Sequence, residues 1–266
     1  MDLELAGKRA IVTGGGAGIG RAIAVELARE GVSVAVVSRR KEVLDDAARL
    51  IQDETGTAAL PVVADTGDDS SVQSMVDTVV DRFGGVDILV NVASQNPAQP
   101  GGLDYLHAHS DRFLDQLNVK VVGYLRTAKA VAPHFIAQRW GRIINIAGIG
   151  ARETVAVINS VRNVGVTALS KNLADELGPH GVNVTTLYPS YTLSNTYRER
   201  LQAQADAAGI TLDQHLATID TGNAIARFVQ PHEIGWVAAF LASPKSVTIN
   251  GDAITVCGGH LGPIHY

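Results

Sequence analysis

Cysteine is almost absent: the 266 residues hold one, Cys257. A single thiol excludes an internal disulfide framework and fits a reducing compartment. It follows the apolar stretch Ala253-Ile-Thr-Val, where a small buried side chain is expected rather than a reactive one. Positive charge is not in excess either. Lys and Arg number 22 against 27 Asp and Glu, giving a net charge of -5. That balance, evenly spread, offers no footprint for nucleic acid or for an anionic membrane. No apolar run approaches the roughly 20 residues that cross a bilayer. The amino terminus, Met1-Asp-Leu-Glu-Leu-Ala-Gly-Lys, lacks the apolar centre of an export signal. A soluble, cytoplasmic protein is expected. His107 and His109 have the spacing of a metal pair, but no third ligand is evident, so no metal site is expected.

What the chain does have is apolar material in the right arrangement. Hydrophobic residues make up 46% of it, enough for one substantial core, so a single domain over residues 1–266 is expected. Short apolar runs occur at 9–13, 33–37, 59–64, 86–91, 142–147, 182–188 and 252–256. Continuous apolar strands are buried on both faces, which means a parallel sheet. Between them lie segments of helical period at 20–30, 43–54, 70–83, 111–138 and 159–178. Strand and helix alternate, so the expected class is α/β: a doubly wound, Rossmann-type parallel sheet of about seven strands with helices on both faces. Gly56, Gly84-Gly85, Gly141 and Gly181 fall where helix C-caps belong. Residues 189–222 break the alternation. This polar insertion, with Tyr191, Tyr197, Arg198 and Arg200, lies beyond the carboxyl end of a strand, where a substrate lid is expected.

The first strand runs into Thr13-Gly-Gly-Gly-Ala-Gly-Ile-Gly20, which opens a helix. Glycines at Gly14, Gly16, Gly18 and Gly20 let the backbone turn tightly and approach a pyrophosphate, received by free N–H groups around Ile19. The spacing resembles the short-chain dehydrogenase/reductase family, and other segments agree in order over essentially the whole chain. Asp65 and Thr66 follow the third strand, as the family's adenine-contacting Asp does. Asn91-Val-Ala93-Ser resembles the family's Asn-Asn-Ala-Gly. Pro189-Ser190 stands where Pro-Gly is usual, and Asn118 matches the Asn of the long central helix. The resemblance implies NAD(P) as cofactor and a small-molecule substrate. Ser38-Arg39-Arg40 end the second strand where NAD-preferring members carry an acid, so NADP is expected, with NAD possible.

The resemblance also implies a Tyr that transfers the proton, a Lys four residues on, and a Ser that orients the substrate oxygen. Ungapped alignment of the helix around Lys171 puts Asn159 and Asn163 at the Tyr and Lys positions and Gly148 at the Ser position. An amide has no proton to release near neutral pH, so Asn159 cannot act as general acid. Tyr191, at the root of the lid, is the favoured substitute, ahead of Arg162, Arg152 and His260, while Lys171 is discounted. Two functions follow: an NADP-dependent oxidoreductase with non-standard proton delivery, or a non-catalytic subunit paired with an active homologue. Non-redox chemistry on the scaffold is a third. The family's habit of packing its long helices between subunits implies a homo-oligomer, dimer or tetramer, or a hetero-oligomer with a homologue.

Overall fold

The strand segments in this computed structural model, which describes residues 1–95, 110–154 and 156–262, are rich in Val, Ile and Leu and form one sheet. They are β1 (Arg9–Thr13), β2 (Ser33–Ser38), β3 (Leu60–Val63), β4 (Ile88–Asn91), β5 (Gly141–Ile146), β6 (Val182–Pro189) and β7 (Ala253–Val256). All are parallel, in the order β3-β2-β1-β4-β5-β6-β7. Because successive side chains alternate between faces, each inner strand feeds two cores. Ala10, Val12, Val34 and Val36 pack with α1 (Gly18–Arg29), α2 (Lys41–Thr55) and α9 (Pro231–Ala242). Ile11, Ala35 and Val37 pack with α3 (Asp69–Phe83), α5 (Gly123–Gln138) and α6 (Val157–Leu177). The doubly wound expectation is met, and no helix among the described residues is long and apolar enough to cross a membrane.

Strand order reverses between β1 and β4. Ligands of open α/β sheets bind at such a switch point, outside the carboxyl ends of the strands. The expected central helix is in fact three pieces end to end: α4 (Ser110–Leu117), a π turn (Asn118–Val122) and α5. Wide turns of this kind concentrate at functional sites. Two of the predicted glycine caps hold without change, since Gly56 and Gly84 end α2 and α3 in the left-handed conformation. Gly141 is a correction. Arg139, at φ 54°, caps α5 instead, and Gly141 already begins β5, where a Cβ would run into the Phe135 ring.

The insertion after β6 holds α7 (Asn195–Ala208) and α8 (Leu212–Ala217). Leu193, Leu201 and Phe228 give it a small apolar centre of its own. His107 and His109 lie outside the described residues. Cys257 is buried, as its apolar context predicts.

Candidate active site

Two cavities lie along the carboxyl edge of the sheet. The first is built on the turn after β1. Thr13 is buried, and its Oγ1 accepts from the N–H groups of Val92 and Ala93 at 3.1 and 3.3 Å, tying the end of β1 to the chain leaving β4. Gly14 adopts φ +70°, and a Cβ there would stand 2.9 Å from the Ala93 nitrogen. A Cβ on Gly20 would strike the Gly14 carbonyl. The N-cap of α1, Ala17, has no side chain able to satisfy the first N–H groups. A concave turn backed by uncapped N–H donors at a helix's positive end is a receptor for phosphate.

Around that turn a cavity of about 240 Å³ gathers Gly14, Gly16, Ser38, Arg39, Arg40, Asp65, Thr66 and Ala93. Arg39 Nη1 stands 3.9 Å from Asp65 Oδ2, a contact spanning the chain ends of β2 and β3. The N-cap of α2, Arg40, also leaves its helix end without a side-chain cap. Two other residues expected here lie elsewhere. Asn91 is fully buried below the cavity; its Nδ2 donates to Asn145 Oδ1 at 2.9 Å, and its Oδ1 accepts from Thr127 at 2.8 Å. Asn145 in turn donates to Ser170 at 2.8 Å, completing a polar ladder across β4 and β5 that sequence reading missed. Ile19 packs toward the α1 core.

The second cavity, about 380 Å³ and open to solvent, lies between the chain after β5, the start of α6 and the root of the insertion. It brings together Gly148, Asn159 and Asn163 with Pro189, Ser190, Tyr191 and Arg162. Asn159, Arg162 and Asn163 share one helix face through their three- and four-residue spacing. The Oδ1 atoms of both asparagines are buried without a partner among the described residues, as is Arg162 Nε. Gly148 has φ 156° and ψ 158°, a conformation that side chains avoid. Tyr191 is 48% exposed at the rim, edge-on to Phe228 with ring centres 6.5 Å apart.

Asn118 does not join this group. Its Nδ2 donates to the Gly67 carbonyl at 3.4 Å and its Oδ1 accepts from Arg126 at 2.9 Å, both facing the loop after β3. The side chain from this turn that is buried toward the chain after β5 is Lys120. It is 4% exposed, and its Nζ donates to the Ala147 carbonyl, next to Gly148, at 2.8 Å. Burial, and then the charge of nearby Arg162, push its ammonium well below the usual lysine range. The one available signal was a lysine set among the valines of Asn118-Val-Lys-Val-Val.

The remaining candidates have other partners. Arg152 donates to Thr255 Oγ1 at 2.8 Å and lies over the Tyr188 ring. His260 Nε2 is 3.2 Å from Glu153. Lys171 is paired with Asp175 on the exposed side of α6.

Comparison with known proteins adds an independent view. A family model described as enoyl-(acyl carrier protein) reductase matches residues 14–260. A short-chain reductase protein, NovJ, of Streptomyces niveus is 34% identical over 253 residues, covering 94% of this chain and 92% of that protein. A 3-oxoacyl-(acyl-carrier-protein) reductase of Staphylococcus aureus is 31% identical over 255 residues, covering 95% and 97%. Among solved structures, L-sorbose reductase from Gluconobacter frateurii, complexed with NADPH and L-sorbose, superposes with a TM-score of 0.91 at 28% identity over 99% of this chain and 100% of that one.

Proposed function

Because the chain belongs to the short-chain dehydrogenase/reductase family, we propose that it is an NADP-dependent oxidoreductase whose proton is delivered by a route other than the family's tyrosine. The observation that carries the cofactor reading is the first cavity: a glycine turn with uncapped N–H donors, opening onto Arg39 and Arg40. A guanidinium pairs with a phosphate through charge-assisted hydrogen bonds, which suits the 2′-phosphate that distinguishes NADP from NAD. The solved L-sorbose reductase was complexed with NADPH, which agrees with that preference. When bound, the cofactor supplies a hydride. Thr13, the glycines, Ser38, Asp65 and Ala93 would hold its nucleotide, with Pro189 and Ser190 beside the reacting end.

The proton reading rests on the second cavity. Gly148, Asn159 and Asn163 occupy the positions at which the resemblance calls for Ser, Tyr and Lys, and none of them can release a proton near neutral pH. Tyr191 at the rim and solvent entering the open cleft remain as sources. Helices α7 and α8 would cover a bound substrate from residues 189–222.

Turnover tests this directly. NADPH consumption with a panel of simple ketones and aldehydes should be negligible for the native protein. It should become measurable in Asn159→Tyr/Asn163→Lys, the two changes made together because a tyrosine needs the lysine charge to bring its pKa toward neutrality. Efficient ketone reduction by the native protein, unchanged in Tyr191→Phe, would overturn the proton reading.

A further inference from the structure

Arg162 has an unusual division of labour within its guanidinium. Nη1 carries all of the side chain's hydrogen bonds among the described residues: to Gln116 Oε1 at 2.6 Å, to the Gln95 carbonyl at 3.1 Å and to Ser94 Oγ at 3.2 Å. Nε is buried with no partner. One corner of the guanidinium is therefore clamped and Nε is sealed, while Nη2 has no hydrogen-bond partner among the described residues and the side chain lines the wall of the second cavity.

The charge is as notable as the geometry. Arg162 is only 6% exposed, and buried Lys120 is close enough to feel its charge. Neither is paired with a carboxylate among the described residues; Arg162 is held by neutral oxygens and Lys120 by the Ala147 carbonyl. Glu153, the acid of this cleft, is engaged by His260. A buried guanidinium keeps its charge and is costly to hold without a counter-ion.

We propose that the substrate carries a carboxylate, bound by the unclamped Nη2 of Arg162 in the wall of the second cavity. The inference rests on the reading of this cleft as the substrate site and names the substrate's chemical class. A molecule so anchored lies in the cavity that Asn159 and Asn163 also line. Arg200, the other cation lining the cleft, is engaged over the Tyr197 ring at 4.6 Å.

The test is calorimetric binding of acetate, levulinate and benzoate, each against its methyl ester, to the protein alone and with NADPH present. At least one acid should bind about tenfold or more tightly than its ester. That advantage should be lost in Arg162→Gln, largely lost in Arg162→Lys, which keeps the charge without the guanidinium, and retained in Arg200→Gln. The proposal is overturned if no acid exceeds its ester, if the preference survives in a folded Arg162→Gln or follows Arg200, or if inorganic phosphate binds while the three acids do not. Should Arg162→Gln fail to fold, the acid-to-ester ratio of the native protein and the Arg162→Lys result decide. Failure of NADPH to bind would sink the cofactor reading alone, because the acid preference is also read on the protein without it.

Discussion

Gly148 sets a limit on how far the cleft can be converted by exchange of side chains. At φ 156° it occupies a region open essentially to glycine, and a Cβ there would stand 3.2 Å from Asn163 Nδ2. Gly148→Ser should therefore destabilise the native protein by about 1–3 kcal/mol, read as a lower denaturation midpoint in urea with unchanged slope. An unaltered midpoint would mean that the backbone relaxes freely at this position. Individual residues were legible in the sequence where their role follows from backbone geometry or local charge. The glycine turn, Arg39, Arg40 and Asp65 all line the expected cavity, and Gly148, Asn159 and Asn163 meet in one cleft. Asn118 and Lys120 were not separable in the same way. Two residues apart on a helix, they point about 200° from each other, and the intervening π turn moves the facing further than a regular helical wheel allows. Arg162 is readable as a candidate proton donor, but the clamping of its Nη1 depends on where Ser94, Gln95 and Gln116 fall, which no local pattern encodes.

Helix ends show how local chemistry can suffice or fail within one chain. At the start of α9, Glu233 accepts from the Gln230 N–H at 2.7 Å and from both terminal nitrogens of Arg227, at 2.6 and 2.9 Å, while Pro231 fills the first turn. The Arg227 hydrogen bond, foremost, holds the Glu233 carboxyl down to about 2. A carboxyl lowered in the folded state contributes stability that is present above its unfolded value near 4.5 and is lost as pH falls toward about 2. Because Arg227 is half exposed, solvent screens the pair, and about 1 kcal/mol is expected. Glu233→Gln should be less stable than the native protein by that amount near neutrality, and the difference should shrink between pH 4.5 and 2; a difference independent of pH would remove the ion pair from the account. Pro231 at the first position is a local signal sufficient to mark this helix start. The end of α5 carries no such signal: Arg139 takes the left-handed cap position, while Gly141 begins β5 beneath the Phe135 ring, which leaves no room for a Cβ there.

The whole molecule was the most legible level, since seven apolar runs separated by helical segments leave few alternatives to a doubly wound sheet. Its surface points onward to assembly. Val157, Val161 and Val164 form an exposed apolar line on α6, with Val122 and Leu125 exposed on the neighbouring helix. A dimer or tetramer is expected by light scattering at micromolar concentration, and Val161→Asp/Val164→Asp should shift it toward monomer; a monomeric native protein would contradict this. The sheet's switch point, the uncapped start of α1 and the arginines after β2 converge on the central claim that this is a site for NADP. Titration calorimetry of the native protein with NADPH and with NADH tests that claim most directly. NADPH should bind about tenfold or more tightly, with the preference lost in Arg39→Ala/Arg40→Ala, while tighter binding of NADH, or no binding of either at millimolar concentration, would contradict it.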